Sequence, residues 1–447
     1  MVRNQKSDHP TSDRSWWQRT VPVRIRHNSR LIFGSIFVLV ITGLILGSFR
    51  IDPIVFTQES QEQTTNSRFN IIGNVDLFDL NVPHQIEMLI SPGDYQILMN
   101  DYQRLGLKTW VPANITIDGT LIENVGIRLK GNSTLRELSR NSRGWGRSGR
   151  MSNATFDNPS TLPFAVSFDE YEEDVAYQGR EELAIRPART GGTNINEALA
   201  LQLIADSGQI SQDFTWVNFS VNGYPSVTRL VIENPDKRYA EALGLGSGVL
   251  YKSTSTNRFR YFDDIPLSYE SDFDQINAKS TYDVTPIINL LKWLTDVDAE
   301  TFENELAEWV DIDSFARYVA TQDILQNFDD MSGPGHNFLL WYDLVDEKFT
   351  VISWDMNLAL GAGNFIGGFG GFGYGGGNVL KERFMRSNFR TEISQAREEL
   401  LSFWVDNNYA LRTMDQLADV IPLSDTLSEE EFLRDIALTR RTVQFLR

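Results

Sequence analysis

Three polar residues late in the chain stand in an order that suits phosphoryl transfer. That reaction asks little covalent work of a protein: a carboxylate to orient the attacking hydroxyl, oxygen ligands for metal ions that bridge the phosphates, and cations on those phosphates. In kinases the base Asp and a metal-binding Asn share one loop after a helix, two short strands follow, and a second metal-binding Asp sits just beyond them. Here a helical pattern from about Asp313, with Phe315, Tyr318, Val319, Gln322 and Leu325 on one stripe, ends near Asn327. A polar loop then carries Asp329, Asp330 and Asn337. Strands are expected at Phe338 to Tyr342 and at Phe349 to Trp354 around a turn at Val345 to Glu347, with Asp355 closing the second strand. Such a hairpin returns Asp355 beside Asn337, so carboxylate and amide oxygens can share a hard divalent ion such as Mg²⁺ or Mn²⁺. Taken singly, Asp and Asn in loops serve as turn residues just as well. Their joint order carries the argument. His336, next to Asn337, reads as a hydrogen-bonding or pocket-lining residue rather than a base.

The elements that must position these residues follow from pattern. Asn114 to Lys130 reads as two strands joined at Asp118-Gly119, the dipeptide that supplies positive φ in a tight turn, and Asn222-Gly223 joins a second hairpin. Leu162 to Phe168 alternates as a half-buried strand, and Ile195 to Ala205 is apolar almost all round, as in a buried helix. Thr285-Pro286 and Asp298 open helices further on. The expected organisation is α/β of the α+β kind: a β-rich lobe over residues 83–232 and a mainly helical lobe over 233–447, closed by helices around Glu392 to Asp406 and Glu429 to Gln444. Gly361 to Gly377 is mostly glycine with no phosphate-loop pattern, and reads as a flexible flap beside the site.

Composition bounds the partners. Net charge is −19, so the surface repels nucleic acid and anionic lipid, and a nucleic-acid role is excluded from the expectations. Residues 1–50 hold eight Lys or Arg against two Asp, whereas the remainder carries 33 basic and 58 acidic residues. Residues 31–49 form a 19-residue stretch without charge, about 28 Å of helix and just enough to span a bilayer core. Arg19, Arg24, Arg26 and Arg30 precede it, which retains residues 1–30 in the cytoplasm and sends the rest across as a single-pass protein of the cell membrane. The long charged leader and the absence of a small-x-small cleavage site favour an anchor over a cleaved signal peptide. Residues 50–82, polar and without periodicity, read as a spacer. With no cysteine there is neither a thiol nucleophile nor Cys-ligated zinc, and a metal-dependent hydrolase has poor ligands here.

The run NFDDMSGPGHNFLLWYD (Asn327 to Asp343) followed by VISWDMNLALG (Val351 to Gly361) resembles the signature of the CotH kinase family. In that signature Asn-x-Asp precedes an Asn, and Trp-Asp closes the next strand. GIRLKGNST (Gly126 to Thr134), RLVIEN (Arg229 to Asn234) and GVLYKSTST (Gly248 to Thr256) fall in the family's order. The resemblance implies an atypical protein-kinase-like, two-lobed fold and ATP-dependent phosphorylation of Ser or Thr in secreted or surface proteins. By that resemblance Asp329 is the hydroxyl-orienting base, Asp355 the principal metal ligand and Asn337 an accessory one. Arg128, Lys130 and Lys252 are phosphate contacts, Gly131 lets the backbone approach a phosphate, and Glu233 sits at the interlobe hinge. Asp330 instead precedes Met331-Ser332-Gly333-Pro334 and can cap that turn. The competing reading is a kinase-shaped binding or coat-assembly protein without turnover. If the 31–49 span anchors the chain as its flanking charges imply, protease added to spheroplasts digests the C-terminal domain; protection until the membrane is lysed would overturn that topology.

Overall fold

Alternation of apolar and polar residues curls the first half of the chain into a barrel. The computed structural model describes residues 69–131, 133–136, 138, 153–188, 192–361 and 377–446. Its strands are β1 (Phe69–Ile71), β2 (His84–Ile90), β3 (Val111–Ile117), β4 (Thr120–Leu129), β5 (Phe164–Ser167), β6 (Val175–Tyr177), β7 (Glu182–Ile185), β8 (Phe214–Val221), β9 (Val227–Glu233), β10 (Gly248–Ser253), β11 (Phe273–Gln275), β12 (Phe338–Asp343) and β13 (Phe349–Ser353). The barrel closes in the order β2-β3-β4-β5-β7-β9-β8, with β2 and β8 parallel and the other neighbours antiparallel. Every second residue of β2 and β3 is buried, so Ile86, Met88, Ile115 and Ile117 fill the interior with Ile127 and Phe164 from across it.

The outward positions of β4, β5 and β7 form a second surface. Arg128 lies opposite Ala165, and Ala165 opposite Ala184, so one cross-strand row runs from a cation over two small residues. The expected hairpin turns are in place: Asp118 and Asn222 adopt positive φ ahead of Gly119 and Gly223.

The second half supplies helices Thr285–Asp296, Ala299–Trp309 and Ile312–Ile324, the last two opened by Asp298 and Asp311, which accept the Thr301 and Ser314 amides. Beside them runs the sheet β11-β10-β12-β13. Phe338 pairs with Ser353, so the β12-β13 hairpin begins and ends at one edge and puts Asn337 and Asp355 on adjoining ends.

Three sequence expectations need correction. The spacer drawn to residue 82 ends earlier, because β1 pairs in parallel with β6, Leu77 is buried and the Gln178 side chain accepts the Leu77 amide at 2.8 Å. A three-residue strand is too short to show alternation, and its partner lies a hundred residues away. The boundary at 232/233 does not divide two cores: helix Ile195–Asp206, from the β-rich half, is buried in the core of the helical half together with Trp216 and Ile232 from the outer wall of the barrel. All the described residues fall in one compact unit, Thr65–Arg447. Finally, the closing helices are Val379–Arg386, Arg390–Leu401, Tyr409–Val420 and Glu429–Gln444, two more than the pattern suggested. Residues 1–30, the 31–49 span, spacer residues 50–68 and residues 362–376 of the Gly-rich stretch lie outside the described residues. Among the described residues no helix is long and apolar enough to cross a membrane.

One ion pair locks the entry to the barrel. His84, buried at the start of β2, places Nδ1 2.7 Å from Asp118 Oδ2 and Nε2 3.0 Å from the Asp79 carbonyl. Burial alone would lower its pKa, but the Asp118 carboxylate and the Asp79 carbonyl outweigh burial and raise it. A histidine whose folded pKa is raised stabilises fully below its unfolded pKa, and the gain fades as pH rises through the folded value. The stability lost in His84→Gln, measured by urea unfolding, is therefore larger at acidic pH than at alkaline pH. An equal loss at both would contradict the ion pair.

Candidate active site

The loop after helix Ile312–Ile324 is shaped by hydrogen bonds rather than by regular structure. Asn327 is buried and donates from Nδ2 to Gln322 Oε1 at 2.8 Å, while Gln322 donates to Ser353 Oγ at 2.8 Å, which ties the loop to the end of β13. The Tyr318 hydroxyl accepts the Met331 amide at 3.2 Å. Within this frame the Asp329 carboxylate accepts the Gly335 amide and, at 3.0 Å, the Asn337 side-chain amide. A Cβ on Gly335 would stand 2.6 Å from Asp329 Oδ2, so only glycine lets the loop close on that carboxylate. Burial pushes the Asp329 pKa up to about 7; the Gly335 amide opposes this, and the nearby charges of Asp355 and Asp330 add to it. A carboxyl poised near neutrality is suited to accept a hydroxyl proton.

Asp330 points the other way. Its buried carboxylate pairs with Lys381 on helix Val379–Arg386 and accepts the Ser332 amide at 2.8 Å, the turn-capping role read from the sequence. His336 leaves its Nδ1 3.4 Å from the Met331 carbonyl and reaches no carboxylate among the described residues.

Asp355 stands at the end of β13 with φ 57°, a left-handed conformation that non-glycine residues seldom adopt and that clusters at functional sites. Its Oδ1 receives Arg186 Nη2 at 2.7 Å, and the same guanidinium nitrogen also pairs with Glu197, buried in the first turn of helix Ile195–Asp206. Burial works against the Arg186 charge, but the Asp355 and Glu197 carboxylates outweigh it and hold the group protonated.

Next to Asp355, Trp354 lies under two ammonium groups: Lys252 Nζ is 4.4 Å and Lys130 Nζ 5.7 Å from its ring centroid. Lys130 donates to Asn234 Oδ1 at 2.6 Å, and Asn234 donates in turn to Glu182 Oε2 at 2.5 Å. Among the described residues neither lysine has a carboxylate within ion-pair distance. Both keep some exposed surface, yet burial pushes both pKa values down, and for Lys130 the charges of Lys252 and Arg186 add to the shift. Arg128 sits 4.7 Å over Trp110 with its Nε buried and unpartnered. Lys108, pushed down to about 8 by burial and then by the charges of Arg128 and Lys252, extends the row.

The structure thus gathers Asp329, Asn337 and Asp355 at one end of the hairpin, and Arg128, Lys130 and Lys252 along the wall beside it. Two sequence candidates fall elsewhere. Glu233 turns away to Arg180 at 3.2 Å and to the Asp213 amide, and burial pushes its pKa up to about 7; its neighbour Asn234 is the residue that meets Lys130. Gly131 has φ 104° and, among the described residues, Thr134 lies near its missing Cβ, the role of a turn glycine after β4. Sequence reasoning missed Arg186, Glu197, Glu182 and Lys108. No local pattern marks them, because each is defined by partners far away in the chain.

A model of the CotH kinase protein family matches residues 127–430, well over half of the chain. The chain belongs to the CotH kinase family. A relative is inner spore coat protein H of Bacillus subtilis (strain 168), 21% identical over 189 residues that make up 41% of this chain and 51% of that protein. The CotH-family chain therefore spans about half the length of the curated relative it matches.

The family implies ATP and a divalent ion, and the residues present fit both. Two ammonium groups over Trp354 that make no ion pair among the described residues, together with the orphaned Arg128 Nε, suit a polyphosphate. Among the described residues no group of three or more His, Cys, Asp or Glu forms a metal cluster. Mg²⁺ is commonly held by one or two carboxylates together with substrate phosphates, and in this site Asp355 and Asn337 would hold it. The Lys381 and Asp330 pair, by contrast, anchors the loop. Removing one member of a buried pair costs about 3–5 kcal/mol, so Lys381→Met lowers unfolding stability by that order in denaturant titration, and adding Asp330→Asn restores part of it. A double variant no more stable than the single one would show that the pair is not coupled.

Proposed function

We propose that this chain is an ATP-dependent protein kinase that transfers the γ-phosphoryl group to a Ser or Thr hydroxyl. The observation that carries the reading is the pair of enclosed lysines, Lys130 and Lys252, which make no direct ion pair among the described residues and lie over the tryptophan that precedes Asp355. Glu182 offsets part of this charge from a distance, but enclosed ammonium groups without a direct ion pair are costly to keep, and a triphosphate supplies close anionic partners. Family membership and the loop geometry around Asp329 support it. In this reading Lys130, Lys252 and Arg128 bind the phosphates, and Asp329, fixed by Gly335 and Asn337, orients the acceptor hydroxyl and takes its proton as the oxygen–phosphorus bond forms and ADP departs. Asp355 and Asn337 would hold a divalent ion, which would offset phosphate charge during the transfer.

The charge-free 31–49 span and the arginines before it support a membrane-anchored protein with its domain on the outer side. Likeness to a protein named for the inner spore coat supports surface proteins as substrates. Incubating the protein with labelled ATP and Mn²⁺ tests the reading through label transfer to itself or to a Ser-rich peptide. Asp329→Asn lowers kcat by about 10²- to 10⁴-fold with nucleotide affinity nearly intact, because a group that orients the nucleophile acts in the transition state. Full activity in that variant would remove Asp329 from the mechanism.

A further inference from the structure

Arg186 belongs to none of the sequence blocks that mark the site, yet it is the most constrained cation in it. It lies one residue past β7 and retains only 8% of its surface. Its amide donates to the Leu230 carbonyl at 2.9 Å, and its own carbonyl accepts from Arg229, a fully buried side chain that also donates to the Ser160 and Leu162 carbonyls. The backbone is therefore clamped. The side chain is divided: one guanidinium nitrogen serves both Glu197 and Asp355, while Nε is buried without a partner. Lys130 feels its charge, which places the guanidinium beside the enclosed lysines.

We infer that Arg186 is a phosphate-binding residue held in reserve by Asp355, and that engagement of the Asp355 carboxylate by another cation releases it to the nucleotide. This rests on the kinase reading above. Glu197 keeps the guanidinium in place, and Asp355 competes with the phosphate for the same nitrogen. An arginine fork matches phosphate oxygens in two directions, and its unused Nε adds a donor that the carboxylate does not satisfy. The arrangement couples two events: with Asp355 free, phosphates meet a carboxylate and an occupied arginine; with Asp355 neutralised, they meet an available arginine.

The probe is ADP, titrated calorimetrically into the full chain without divalent ions, so that the readout is binding rather than turnover. Asp355→Asn leaves Arg186 without its charged competitor. ADP affinity then rises by roughly fivefold or more, the usual size of coupling between linked sites. The rise disappears when Arg186→Gln is added. Simple repulsion between Asp355 and phosphate predicts instead that the gain persists or grows once Arg186 no longer screens the carboxylate, and that result overturns the inference while leaving nucleotide binding intact. If Arg186→Gln does not fold, Arg186→Lys replaces it, since an ammonium keeps the charge opposite Glu197 but lacks the fork; the same two outcomes decide. A chain that binds no ADP, with or without Mg²⁺, overturns the kinase reading and this inference together.

Discussion

A single buried arginine holds the two halves of the molecule in register. Arg186 leaves the barrel wall, meets Glu197 on the core helix Ile195–Asp206 and Asp355 at the end of β13, and so joins three segments separated by up to 169 positions. Two carboxylates and a guanidinium in so little water are tolerated only while each keeps its partner. Asp355 can therefore leave Arg186 only for another cation, and Arg186 stays compensated by Glu197 while it does so. Asn196, next to Glu197, donates to the carbonyls of Asn357 and Ala359 and fastens the same helix to the chain just beyond Asp355.

Around that bridge the fold separates its charges. The sequence carries a net −19, yet the surroundings of Trp354 gather Lys108, Arg128, Lys130, Arg186 and Lys252. A cationic crevice in an acidic surface focuses the field on small anions and turns polyanions away elsewhere. The small residues Ala165 and Ala184 continue the cross-strand row that begins at Arg128.

What the sequence revealed depended on how local the signal was. The Asp118-Gly119 and Asn222-Gly223 turns, the helix start at Asp298 and the apolar helix Ile195–Asp206 all lie in the places their residues demand. The Asp329 loop and the β12-β13 hairpin were legible for the same reason, since turn chemistry and alternation act over a few residues. Glu233 shows the limit: as the last residue of β9 it turns to Arg180, while Asn234, just beyond the strand, is the residue that meets Lys130, and no local pattern separates the two. Arg186 and Glu197 were invisible because their meaning comes from Asp355, and β1 because its pairing partner lies a hundred residues downstream. The lobe boundary failed for a related reason, since helix Ile195–Asp206 packs by shape against helices from the far end of the chain.

The central claim is that the enclosed lysines over Trp354 are a phosphate site. A crystal structure of the protein with a non-hydrolysable imido analogue of ATP and Mn²⁺ tests it most directly. The account predicts phosphate oxygens within hydrogen-bond distance of Lys130 and Lys252, with the ion on Asp355. An analogue whose phosphates lie in solvent, or bind away from that tryptophan, contradicts it.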